Sequence, residues 1–267
     1  MPKGKGLSRD RIILELVNAL RPLDYIYTFW EGGAAAFGRV DEWSDIDVNV
    51  VVDDNKIDET FSQVEKALAM LSPIKLKYEV PKETWQDMSQ AFYKLEKASD
   101  YHLIDLAVLK LSKRDKFLEP RVHGNLVFYF KKGEKISPAP LDVQEFNNSM
   151  QKRLLRLKAR FDIFNCFVQK EINRKNYLEA LDLYYNVTLS SLVEILRMMH
   201  NPFHYDFKMR YVHYELPPDV IKRLEWLYSV RGLEDLQGKY EEASTWFSSL
   251  AANVPAGSSN ATKSSPP

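Results

Sequence analysis

Two aspartates, Asp45 and Asp47, stand at the mouth of an apolar run, Ile46 to Val52, and a small-residue turn built from Gly32, Gly33, Ala34 and then Gly38 precedes them. Side chains alternate across a strand, so residues two apart point the same way. Asp45 and Asp47 therefore set two carboxylates side by side, with Ile46 turned to the core. Like charges held close raise each other's pKa unless a cation sits between them. Hard oxygen ligands on one edge suit Mg²⁺, which takes one or two carboxylates and completes its shell with water and substrate phosphates. The Gly-Gly-Ala turn lets a backbone approach a ligand closely, and consecutive N–H groups in such a turn form an anion-binding concavity. A phosphate cradle and a carboxylate metal site together read as a two-part nucleotide site, although D-x-D by itself is also an ordinary solvated turn.

A further acid, Asp105, interrupts the apolar stretch His102 to Lys110, HLIDLAVLK. A buried unpaired carboxylate is costly. Asp105 is therefore hydrogen-bonded, at a sheet edge, or facing a metal; a neighbouring strand would bring it beside Asp45 and Asp47.

The elements that must position these acids follow from periodicity. Ser8 caps a helix running to about Leu20, with Ile12, Ile13, Leu16, Val17 and Leu20 as its apolar stripe. Tyr25 to Trp30 reads as a strand entering the glycine turn, and Ile46 to Val52 as a strand buried on both faces. Lys56 to Leu71 is helical; Ile74 to Val80, Ala91 to Leu95, His102 to Leu109 and Leu126 to Phe130 are strands, with Pro81 to Met88 at most one helical turn. Pro138 and Pro140 punctuate a linker. Beyond it the period is helical: a first long helix from about Val143, apolar along Leu154, Leu157, Phe161, Phe164 and Val168, then Tyr177 to Met199, Pro218 to Tyr228 and Leu233 to Ala251. The expected architecture is a mixed α/β (α+β) sheet with flanking helices over residues 1–138, an all-α domain over 139–252, and a disordered Pro/Ser-rich tail over 253–267.

The 267 residues are 45% hydrophobic and 28% charged, as in an ordinary globular chain, and the zero net charge gives no general attraction to nucleic acid or membrane. No apolar stretch is long enough to span a bilayer and no signal peptide is expected, so the default location is the cytoplasm. The single cysteine, Cys166, is expected to be a buried small hydrophobe. There is no P-loop signature and no G-x-S-x-G elbow, which disfavours a P-loop ATPase and an α/β-type hydrolase.

GGAAAFGRVDEWSDIDV followed by HLIDLAVLK resembles the nucleotidyltransferase superfamily that includes DNA polymerase beta and the aminoglycoside nucleotidyltransferases. The motif resemblance spans roughly Tyr25 to Lys110, and the helical half resembles the acceptor-binding domain of the antibiotic-type members in kind and length. It implies a nucleoside triphosphate such as ATP held with two Mg²⁺ ions, and transfer of a nucleoside monophosphate to a hydroxyl acceptor. Asp45 and Asp47 match the two metal-binding acids; Asp105 matches the third acid, which binds metal or helps deprotonate the acceptor. Gly33 and Ala34 match the phosphate turn. Ala34 stands where the family usually has Ser, unless Gly32-Gly33 is the pair. Ser44 lies inside the second motif. The acceptor is expected to be an aminoglycoside-like small molecule. The alternatives are toxin-like nucleotidylation of tRNA or protein, and a nucleotide-binding scaffold without turnover.

Other residues carry two readings each. Lys208 and Arg210 suit phosphate or a solvated face. Arg39 suits phosphate or a surface pair with Asp41 or Glu42. The basic helix around Arg153 to Arg160 guides an acidic or nucleic-acid acceptor or is simply solvated. His200 and His204 have zinc-helix spacing, against which Asn201-Pro202 breaks the helix. Trp226, Tyr228 and Trp246 are expected in the core.

Overall fold

A computed structural model of the chain describes residues 6–84, 87–113, 118–133, 136 and 141–254. The linker prolines and the tail from residue 255 onward lie outside the described residues. Backbone contacts divide the chain into two compact units, Met1–Pro140 and Leu141–Pro267.

The first unit is a six-stranded mixed sheet. Its strands are β1 (Ile26–Glu31), β2 (Ile46–Val52), β3 (Ile74–Glu79), β4 (Met88–Leu95), β5 (Ile104–Lys110) and β6 (Val127–Lys131), in the spatial order β3-β4-β5-β2-β1-β6. The central β2–β5 pair is parallel and every other pair antiparallel. A parallel pair needs a long crossover, and here α3 (Ile57–Leu71) and the β3–β4 hairpin supply it.

Alternation gives the sheet two unlike faces. Ile46, Val48, Val50 and Val52 of β2 and Ile104, Leu106 and Val108 of β5 share one buried cluster with Ile12, Leu16 and Leu20 of α1 (Arg9–Leu20) and Val64 and Leu68 of α3. Burying such side chains contributes roughly 1.5–3 kcal/mol each. That cluster fixes the register, because a one-residue slip would send all of them to the opposite face. The opposite face carries the polar positions at the amino ends of β2 and β5. Toward their carboxyl ends a small cluster of Trp30, Val51, Ala107, Leu109, Leu118 and Ile136 covers it.

The second unit is helical: α5 (Val143–Phe164), α6 (Cys166–Asn173), α7 (Tyr177–Leu183), α8 (Ser190–His200), α10 (Pro218–Tyr228) and α11 (Leu233–Ala251), with short α9 (Val212–Glu215) between α8 and α10; α2 (Gly33–Ala36) and α4 (Pro120–His123) are single turns of the first unit. A mixed sheet with flanking helices followed by an all-helical unit is the architecture that the sequence pattern leads to.

Four expectations are corrected. Cys166 is exposed, and so is Phe164. Asn165 takes the inward position of the stripe: its side chain accepts from Thr188 Oγ1 at 2.6 Å and donates to Ser244 Oγ at 2.9 Å. Each helical residue turns the next about 100° away, which carries Cys166 out to solvent. Trp226 is half exposed because Val220, Leu224 and Leu227 form the buried stripe of α10; Lys239 Nζ stands 5.2 Å from its ring centroid. Tyr228 and Trp246 do pack partly buried against the helical core. The stretch read as one helix from Tyr177 contains a π-helical turn, Tyr184–Leu189, whose Tyr184 and Tyr185 hydroxyls donate to the carbonyls of Leu227 and Tyr228.

Candidate functional site

The β2–β5 ladder sets Asp47 directly opposite Asp105. Adjacent strands lie about 4.8 Å apart and paired residues share a face. The two carboxylates therefore project side by side from the face that α1 and α3 leave uncovered. Asp45 lies one residue before β2 and is half-buried, and among the described residues it does not gather with Asp47 and Asp105 into a three-carboxylate group as the sequence reading expects. Asn49 follows on the same face, half-buried like Asp47 and Asp105. Gln90 of β4 donates from Nε2 to Asp105 Oδ1 at 2.7 Å, fixing one oxygen of that carboxylate.

The glycine turn closes onto Asp47. Gly32 N–H donates to the Asp47 carbonyl at 2.9 Å, extending the β1–β2 pairing by one bond. Gly33 follows with φ +51°, and a Cβ there would fall 1.6 Å from Asp47 Oδ2 and 2.5 Å from its Cγ. Only glycine fits on both counts, the left-handed backbone and the absent side chain. Ala34, Ala35 and Ala36 continue as α2, whose first N–H groups have no intrahelical acceptor by geometry and no side-chain cap. A second close approach steadies this turn from outside. Gly124, at φ +76°, lies where a Cβ would meet Ala36 O at 2.6 Å, and Asn125 N–H donates to that same carbonyl at 2.7 Å.

Behind the site, Glu31 is buried at 1% exposure at the end of β1. It pairs with Arg9 and accepts from Tyr129 Oη at 2.7 Å. Arg9 also reaches the Asp45 carbonyl at 3.5 Å, so the first residue of α1 ties β1 to the mouth of β2. Burial raises the Tyr129 pKa above its usual value, with Arg9 opposing the shift; the phenol stays a hydrogen-bond donor.

The remaining predicted positions divide. The Ser44 hydroxyl accepts from Asp41 N–H at 2.9 Å and donates to Asp41 Oδ1 at 2.8 Å, bracing the turn before β2. Arg39 lies over the Phe37 ring at 5.1 Å, and its N–H closes the turn onto Ala34 O. Lys208 and Arg210 are exposed and belong to the second unit. Their backbone is held by Arg197, which is fully buried and donates to the carbonyls of Lys208 (2.7 Å) and Arg210 and to Glu215 Oε2 (2.7 Å). Lys208 and Tyr211 both take left-handed φ values within this clamp, at 52° and 62°. His204 Nδ1 meets Glu215 Oε1 at 2.9 Å, so the imidazole belongs to this network. In the basic helix, Arg153 pairs with Glu194, while Lys158 and Arg160 donate to backbone carbonyls, as a packed surface does.

Among the described residues no three His, Cys, Asp or Glu side chains gather closely enough to hold a metal ion. The level pair Asp47 and Asp105 nonetheless supplies two hard oxygen donors on adjacent strands, a donor set that suits Mg²⁺. A shallow cavity lined by Asp53, Asp54, Asn55, Leu111 and Ser112 lies at the opposite, carboxyl ends of β2 and β5. Among the described residues no helix is long and apolar enough to cross a membrane.

The sequence matches no family model and no curated protein. Among the solved structures to which the chain is similar are two adenyltransferases. One is an aminoglycoside 6-adenyltransferase from Bacillus subtilis, 15% identical, with 92% of each chain covered and a TM-score of 0.35. The other is a spectinomycin adenyltransferase from Enterococcus faecialis solved with ATP and spectinomycin, 11% identical, covering 92% of this chain and 98% of that one, also at 0.35.

Proposed function

We propose that the chain is a Mg²⁺-dependent nucleotidyltransferase that moves a nucleoside monophosphate from a nucleoside triphosphate, such as ATP, to a hydroxyl of a small-molecule acceptor. The observation that carries this reading is the level pairing of Asp47 with Asp105, with Gly33 pressed against the Asp47 carboxylate. The pair Asp47 and Asp105 would hold the divalent ions, which when bound supply charge neutralisation for the triphosphate and its leaving pyrophosphate.

The chain's own groups do the rest. The bare backbone of Gly33 and Ala34 lets phosphate oxygens approach the N–H groups that begin α2, directly beside Asp47. The absence of a Ser hydroxyl at Ala34 removes one donor and leaves these backbone donors in place. In the transfer, the acceptor oxygen forms a bond to the α-phosphorus while the bond from that phosphorus to the bridging oxygen breaks. Pyrophosphate departs with the electron pair. Asp105, oriented by Gln90, takes the acceptor proton. Ser44 and Arg39 keep the turn before β2 in shape, and Lys208 and Arg210 are phosphate-binding candidates on their clamped loop.

The test is incubation of the full chain with Mg²⁺ and nucleoside triphosphates labelled at the α-phosphate, against a small-molecule hydroxyl library, RNA and protein. Label is expected on a small molecule and lost in Asp47→Asn with nucleotide binding retained. Label on RNA or protein would move the acceptor class. Nucleotide binding without any transfer would sink the enzyme reading and leave a scaffold.

A further inference from the structure

The row of positions that holds the two acids does not stop at β5. Asp105 pairs with Phe92 on β4, and Phe92 pairs with Tyr78 on β3. Asp47, Asp105, Phe92 and Tyr78 thus form one transverse row across four neighbouring strands, on one face. The alternate residues confirm the assignment of faces: Ala91, Tyr93 and Leu95 of β4 lie in the cluster with α1 and α3, and Lys77 reaches Glu65 of α3 at 2.6 Å. Phe92 and Tyr78 stack with ring centroids 6.1 Å apart and planes at 29°. Tyr78 is 61% exposed, and Leu76 beside it on the same face is 60% exposed. Large apolar side chains set on the solvent side of an edge strand invite aggregation unless something uses them.

We infer that Tyr78 and Phe92 form the acceptor shelf, a flat apolar floor against which the acceptor lays a ring while presenting its hydroxyl to Asp105. The inference rests on the transfer reading above. A group whose hydroxyl sits at Asp105 has two directions along the row for its remaining body. Toward β2 it meets Asp47 and the glycine turn, where the triphosphate lies. Toward β4 it meets Phe92 at about one strand spacing and Tyr78 at about two, or roughly 5 and 10 Å, the width of one or two six-membered rings. The acceptor class is therefore a hydroxylated molecule carrying a flat aromatic or saturated-ring face. Gln90 and Lys94 flank the shelf on β4 and give polar contacts at its edges.

The test uses 4-nitrophenyl β-D-glucopyranoside, which joins ring hydroxyls to a flat apolar ring, and a fluorescent ATP analogue with Mg²⁺ as an independent reporter of the nucleotide site. Binding of each to the full-length chain is measured for the wild type, Tyr78→Ala and Tyr78→Phe. Tyr78 is largely exposed, so neither variant disturbs the core. The expected result is glucoside binding weakened about five- to tenfold in Tyr78→Ala, kept in Tyr78→Phe, with ATP-analogue affinity unchanged throughout. Equal glucoside binding in wild type and Tyr78→Ala, or no binding by the wild type, overturns the shelf. So does a Tyr78→Ala change that splits a dimer into monomers, which would make the surface an interface between copies. If the ATP analogue fails to bind the wild type while the glucoside binds through Tyr78, the transfer reading falls and a ring-binding surface stands.

Discussion

Replacing Gly33 by Ala isolates what the turn does for Asp47. The new methyl would stand 1.6 Å from Asp47 Oδ2, 2.5 Å from Cγ and 3.0 Å from Cβ, so either the carboxylate rotates away or the turn backs off. Two costs add. Holding a non-glycine residue in the left-handed region costs about 1–2 kcal/mol, and relieving the overlap costs about 1–3 kcal/mol more. The sum, roughly 2–5 kcal/mol, is survivable for a domain stable by about 5–15 kcal/mol, so the variant is expected to fold. Its catalytic effect should be larger, since displacing a reacting group by about 1 Å costs on the order of a hundredfold. Gly38 is the internal control. It has φ +65° and nothing within 4 Å of its would-be Cβ, so Gly38→Ala bears the backbone cost alone. Urea unfolding and labelled nucleotidyl transfer are measured for both. Gly38→Ala should lose about 1–2 kcal/mol and keep activity, and Gly33→Ala should lose more stability and nearly all transfer. Equal losses in the two variants would refute the reasoning, because the contact with Asp47 would then contribute nothing.

Arg9→Ala would leave the Glu31 carboxylate buried without its ion-pair partner, and breaking such a pair costs about 3–5 kcal/mol; hydrogen exchange should quicken at β1 and β2 amides and stay unchanged in α10 and α11. Glu215 gives a pH dependence in the second unit. Burial pushes its pKa up, but hydrogen bonds and charge from His204 and Arg197 outweigh burial and hold it below the usual glutamate range. A carboxylate depressed in the folded state contributes stability that is fully present above its unfolded pKa and is lost as pH falls through the folded one. Thermal unfolding of α8 to α10 should therefore shift downward below about pH 4.5, and Glu215→Gln should flatten that dependence while lowering stability at neutral pH.

The sheet strands and the carboxylate-bearing positions were legible because burial on one face writes itself as alternation. Asp47, Asn49 and Asp105 stand out as polar residues inside runs of Val, Leu and Ile. Their pairing was not legible, since register depends on where the crossover through α3, β3 and β4 closes. Asn49 and Gln90 were missed, although Asn49 left a signal: it continues the Asp45, Asp47 alternation by one more step. Gln90 left none, because its importance comes only from lying across from β5. In the helical half, periodicity gave α10 and α11 to the residue but misplaced Cys166 and Phe164, where the single polar residue Asn165 owns the inward position. Arg197 was invisible for a different reason: two of its partners are main-chain carbonyls, which no side-chain pattern records.

β5 has one further property. Among the described residues it is the one strand joining the β3–β4 hairpin to β2, β1 and β6, and it also carries Asp105. Peeling it away would divide the sheet into two ribbons and separate the paired acids in the same event. The proposed transfer should therefore vanish at the first partial opening that frees the keystone strand, ahead of global melting. Activity would then be a more sensitive gauge of the intact centre than any average spectroscopic signal.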